Sequence, residues 1–168
     1  MRRLALAAFA AVLLAAGCDD DGEAEAPRDS GCPVEPGQVA DLLGYEVVVI
    51  EDTASTEACR FEPSDPGDAD PDTDEPSRAG AHVLVVERRI AAGGYVAVRD
   101  AVEVDVGPTE ALTDVVDGGT GWIARVGRVV QVGVARDRRL VQVTLADPTL
   151  DAEAAGDIAV ELAVEALG

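Results

Sequence analysis

The stretch "TGWIARVGRVVQVGVARDRRLVQVTLA", residues 120–146, sets the architecture. It falls into three β-branched runs. They are separated at Gly127 and at the charged run "RDRR", 136–139. A fourth run, "EALTDVV" at 110–116, precedes them and ends at "DGG", 117–119. Short runs joined by tight turns predict four antiparallel strands in a meander. Strict alternation then assigns the faces. Val130, Val132 and Val134 point the same way as Val141, Val143 and Leu145. Gln131, Gln142 and Thr144 point the other way, so one face is core and the other is wetter. Trp122 is expected near the edge of this meander. "GGTG" at 118–121 turns one strand into another and opens no helix, so it is not a nucleotide-binding fingerprint.

The segment after the meander reads as a helix from about Asp151 to Leu167. Ile158, Leu162 and Ala166 form a stripe, widened by Ala155, Ala159 and Ala163. Asp151 and Glu153 suit its positive N-terminal end. That stripe is expected to cover the apolar face of the sheet. Upstream, "AHVLVVERR" at 81–89 is apolar on both faces and reads as a central strand. Between the two lies "YVAVRDAVEV" after Gly93-Gly94. Tyr95, Val98 and Val102 have helical spacing, while the β-branched content favours strand. Helix and strand both stay open for 94–103.

"PGQVADLL", 36–43, suits a short helix with Val39, Leu42 and Leu43 on its apolar side, stopped by Gly44. "YEVVVIE" at 45–51 and "EACRFE" at 57–62 read as strands. Residues 63–80 carry four prolines and six acids and read as a solvated loop. The predicted fold class is therefore α+β. An antiparallel sheet ending in a β-meander is covered on one face by a short N-terminal helix and a long C-terminal helix.

The first residues have a different character. Met1-Arg2-Arg3 is a basic head, and Leu4 to Ala16 is uncharged. Those 13 residues would span about 20 Å as a helix. A bilayer core needs about 30 Å, so the run reads as a secretory signal peptide over 1–17. "LAAGC" ends at Cys18 and is followed by three aspartates. The motif resembles the lipobox of bacterial lipoprotein signal peptides. That resemblance implies a diacylglyceride on the Cys18 sulfur and cleavage just before it. Two acyl chains hold firmly where one binds only marginally. Residues 18–31 then read as a lipidated acidic tether, and residues 32–168 as a single α+β domain.

Cysteine count agrees with export. Cys18, Cys32 and Cys59 are the only three, and an odd number leaves one over. With Cys18 lipidated outside the cytosol, Cys32 and Cys59 are free to form a disulfide. The alternative is two buried thiols. Two distant cysteines and the lone His82 do not make a zinc set.

The whole chain has a formal charge of −20 and contains no lysine. Without residues 1–17 the charge is −22, from 33 acids and 11 arginines. This argues against nucleic acid and against docking on an anionic bilayer surface. The bland role of the acidity is solubility.

Asp68, Asp70, Asp72 and Asp74 alternate like the start of a calcium loop. An EF-hand needs Gly and Glu at loop positions 6 and 12, where this chain has Thr73 and Ala79. His82 reads as a strand-end residue with a hydrogen-bonded ring. Ser30, Ser55, Ser64 and Ser77 all fall in tether or loop, so no nucleophile is placed beside a base.

The order of lipobox, acidic tether, Cys-Pro before a first helix, second Cys in the second strand, meander and final helix resembles small actinobacterial lipoproteins of a domain-of-unknown-function family. That family carries a "G-x-G-[DE]-x-A" turn, of which "VGPTEAL" keeps Gly107, Glu110 and Ala111. The resemblance implies a disulfide between the two domain cysteines and an envelope-anchored α+β domain. It implies no activity.

The functional expectation is a non-catalytic lipoprotein on the extracytoplasmic face of the cell membrane, with no cofactor. It is anchored by its lipid and takes an envelope protein or small ligand as partner. Two alternatives stand beside it. One is a cation-responsive module using Asp68 to Asp74. The other is an enzyme of unrecognised type, using Arg60, Arg99 or Arg125 beside a carboxylate.

Overall fold

The sheet has the order β1-β2-β3-β7-β6-β5-β4 and is antiparallel throughout. A computed structural model describes residues 32–50, 58–67 and 77–168. The strands are β1 (Val47–Ile50), β2 (Ala58–Pro63), β3 (His82–Arg89), β4 (Thr109–Leu112), β5 (Thr120–Val126), β6 (Val129–Arg136) and β7 (Arg139–Ala146). The helices are α1 (Pro36–Leu43), α2 (Gly94–Asp105) and α3 (Ala152–Leu167). The α+β class, the antiparallel sheet and the C-terminal helix packed on it all stand as read from the sequence.

The path of the chain explains the strand order. After β3 the chain leaves the middle of the sheet, crosses one face as α2 and begins again at the far edge as β4. It then returns strand by strand until β7 lies against β3 over eight residue pairs, from His82 opposite Ala146 to Arg89 opposite Arg139. Both edge strands, β1 and β4, are only four residues long, which limits the unpaired ladder offered to other chains.

The inner face carries the main core. Phe61, Val83, Val85, Val130, Val132, Val134, Val141, Val143 and Leu145 are buried there against α1 and α3. Helix α3 lies over β6 and β7. Its alanines at 155, 159, 163 and 166 let it approach closely, and Leu162 is fully buried beneath it. Burial of one such leucine contributes roughly 1.5–3 kcal/mol. Asp151 caps this helix, with Oδ1 accepting the N–H groups of Glu153 (3.0 Å) and Ala154 (2.8 Å). At the other end, Arg139 donates to the carbonyl oxygens of Ala166 and Leu167 and to Glu87. A guanidinium there complements the negative helix end. Helix α1 ends at Gly44, whose φ of 75° suits a residue without Cβ.

The Cys32–Cys59 disulfide ties the chain entering α1 to the inner face of β2, with Cα atoms 5.6 Å apart. This resolves the choice between bridge and free thiols.

One local expectation is revised and one open segment is settled. Residues 110–116 are not one strand: β4 stops at Leu112, and Asp114 has a φ of 57°. A left-handed residue there turns the chain out of the ladder. The open segment 94–103 is helix. Val98 and Val102 bury themselves on Trp122 and Ala124 only at helical spacing. Helix α2 thus covers part of the outer face, opposite α1 and α3. Trp122 lies on β5, one strand in from the edge, and is 0% exposed.

Candidate functional site

The outer face has a polar groove beside α2. Its floor follows from sheet register. Gly133 faces Trp122 on β5 and Gln142 on β7, and Gln142 faces Val86 on β3. One row further along, Gln131 faces Ala124 and Thr144. Gln131 and Gln142 are therefore diagonal neighbours on adjacent strands, with their backbones roughly 7–8 Å apart.

Gly133 shapes this floor. A Cβ there would stand 2.4–2.6 Å from Cε2, Cζ2 and Nε1 of Trp122, so the indole lies across the glycine. The ring is roofed by the stripe of α2, in which Val102 is buried and Tyr95, Val98 and Val106 are partly so.

Beside this packed patch lies a cavity of about 370 Å³. Arg88, Gln131 and Gln142 line it from the sheet, and Val98, Val102 and Asp105 line it from α2. Gln142 is only 6% exposed. Its Oε1, the Oε1 of Gln131 and the Nε1 of Trp122 are buried and have no hydrogen-bond partner among the described residues. Buried polar atoms without partners are rare in proteins, because each costs about 1–3 kcal/mol. Three on one patch mark it out. Arg88 and Asp105 are exposed at the rim, and neither makes an ion pair among the described residues. Arg99, also on α2, is already committed. Its hydrogen bond to Asp100 (3.0 Å) raises its already high pKa, and Glu103 lies 3.9 Å away.

A second polar cluster is structurally saturated. Asp147, 2% exposed, accepts from the Tyr45 hydroxyl (2.7 Å), the Thr149 backbone N–H (2.7 Å) and the Thr149 hydroxyl (2.6 Å). The Arg78 guanidinium lies 4.7 Å from the centre of the Tyr45 ring. Burial, followed by the hydrogen bond to Asp147, pushes the Tyr45 phenol well above its ordinary value.

The residues singled out from sequence are dispersed. Cys18 and Asp68, Asp70, Asp72 and Asp74 lie outside the described residues. His82 Nδ1 is 3.0 Å from the Gly80 carbonyl oxygen. Arg60 pairs with Glu62 (2.7 Å) and Arg125 with Glu110 (3.3 Å). Arg60 and Arg125 sit on opposite faces and four strand positions apart, about 19 Å across the sheet. The three arginines therefore use three separate carboxylate partners. Among the described residues no group of three or more His, Cys, Asp or Glu is placed to hold a metal ion. Also among them, no helix is long and apolar enough to cross a membrane.

The sequence placed Gln131 and Gln142 on the outer face but did not bring Arg88 and Asp105 to them. Those two come from different elements and meet the glutamines only once α2 folds over the sheet. No family model matches this chain, and no curated protein compared with it is significantly similar.

Proposed function

We propose that this protein is a lipid-anchored, extracytoplasmic domain with a non-catalytic binding role, and that the groove beside α2 is its binding site. The observation that supports binding is the set of buried, unpartnered glutamine oxygens at an open cavity. A site kept only for stability gains nothing from leaving them unsatisfied. "LAAGC" ending at Cys18 supports the anchor, as does the resemblance to small actinobacterial lipoproteins. The Cys32–Cys59 bridge supports an oxidising compartment and leaves Cys18 as the odd cysteine.

Intact mass of the protein extracted from membranes tests the anchor. The expected mass corresponds to a chain starting at Cys18, with acyl groups added and two hydrogens lost to the bridge. A full-length, fully reduced chain in the cytosol refutes it. Binding is tested by Trp122 fluorescence, as this is the only tryptophan. Low-molecular-weight envelope extract should change it saturably. A flat response refutes the groove as a binding site.

A further inference from the structure

We infer that α2 is a hinged cover: it lifts from the outer face as one unit while the sheet stays folded, and so uncovers Trp122, Gln131 and Gln142. This goes beyond the binding reading above and stands without it.

The first observation is what α2 seals. Trp122 Nε1, Gln131 Oε1 and Gln142 Oε1 are closed to solvent and have no hydrogen-bond partner among the described residues. They belong to the adjacent strands β5, β6 and β7 and lie against the side of α2 that carries Val98 and Val102. Arg99 Nε, on α2 itself, is a fourth such atom. With α2 seated, water does not reach the three atoms on the sheet. With α2 lifted, water hydrogen-bonds to all three. That exchange favours the lifted form, because a buried polar atom without a partner has given up hydration and gained no bond.

The second observation is how little holds α2 down. Val102 is the one buried residue of α2, whereas α3 buries seven. Val96 and Val104 face away from the sheet, 47% and 85% exposed. Val102, Trp122 and Ala124 form a cluster apart from the main core, so lifting α2 leaves the packing under α1 and α3 intact. A side-chain tie from α2 to the sheet is made at the surface, where the Thr109 hydroxyl donates to the Glu103 carboxylate.

The third observation is the helix itself. Four valines and a glycine among its 12 residues lower its helix propensity. No side chain caps its N-terminus, and it has no acid in the first turn and no base in the last. Glu103 and Asp105 instead place negative charge at its negative end. Gly93 precedes it at a φ of 78°, and Gly107 follows it at 146°. Residues without Cβ at both flanks absorb the backbone rotation of a moving segment.

Hydrogen exchange of the folded domain, with the disulfide intact and NMR as the readout, tests the cover. The backbone N–H groups from Val98 to Val106 and the indole N–H of Trp122 should exchange through one shared opening. After correction for intrinsic rates, they should exchange at least about a hundredfold faster than the slowest amides of β6, β7 and α3, and with a shallower urea dependence. Gln142→Leu keeps volume and removes a sealed oxygen, so it should slow the α2 amides and the indole N–H by about tenfold. Val104→Ala, on the exposed side of α2, should slow them by about threefold through helix propensity alone. This second variant keeps the inference testable should Gln142→Leu not fold. Exchange of α2 at the rate of the sheet overturns the inference. So does fast exchange of the α2 amides beside an indole N–H that exchanges only with the sheet, because α2 then frays without uncovering Trp122.

Discussion

Gly133→Ala is expected to destabilise the protein, although alanine is ordinarily better than glycine inside a strand. The new methyl would sit 2.4, 2.5 and 2.6 Å from Trp122 Cε2, Cζ2 and Nε1. Ordinary carbon contacts lie at about 3.5–4.0 Å, so roughly 1 Å of overlap must be relieved. The indole cannot swing into solvent. It is 0% exposed and packed with Val102 and Ala124. Overpacking of this kind costs about 1–3 kcal/mol or somewhat more. The backbone gain from replacing glycine offsets only about 0.5–1 kcal/mol. With no room for the ring to give, the cost lies at the upper end of that range, so a net loss of about 2–2.5 kcal/mol follows, or roughly 4–10 °C in Tm for a domain of this size. Trp122→Ala alone should cost about 3–5 kcal/mol by leaving a cavity. Because the ring is what the methyl meets, the double variant should be more stable than the sum of the singles predicts, by at least about 1 kcal/mol. Urea unfolding followed by far-UV circular dichroism, with the disulfide intact, measures all four corners of the cycle. A Gly133→Ala loss under about 0.5 kcal/mol, or additivity within that margin, would falsify the packing argument.

Three further outcomes are expected. Reducing the Cys32–Cys59 bridge, whose cysteines are 27 residues apart, should lower stability by about 3–4 kcal/mol in the chain-entropy model. Paired urea curves with and without reductant measure this, and coincident curves would exclude it. Arg139→Ala strips the guanidinium from Glu87 and from two carbonyls at the end of α3. It should cost about 1–3 kcal/mol and speed amide exchange in the last turn, with only partial recovery by lysine, which lacks the planar fork. Tyr45 carries a raised pKa in the folded state, whereas the unfolded chain loses that proton near pH 10. Its contribution is thus fully present below about pH 10 and is lost as pH rises beyond it, because the unfolded state then binds fewer protons than the folded one. Tyr45→Phe should flatten this alkaline fall in thermal melts; an unchanged fall would assign it elsewhere.

Local patterning alone accounts for most of the elements. The period-2 runs at 120–126, 129–136 and 139–146 specify strands and assign their faces. Asp151 and the alanine stripe specify α3 almost to the residue. Pro36 and Gly44 bracket α1. These features depend on neighbours within a few positions, where backbone sterics and alternation act directly. Residues 94–103 could not be resolved this way, because β-branched propensity and helical spacing point in opposite directions and differ by only tenths of a kcal/mol per residue. Burial of Trp122 under Val98 and Val102 tips that balance, and it exists only once β5 is in place. The same holds for the groove. Alternation put Gln131 and Gln142 on one face, but Arg88 and Asp105 join them only when α2 crosses the sheet and β7 docks beside β3. Long-range pairing brings these groups together, and no local run of residues encodes that closure.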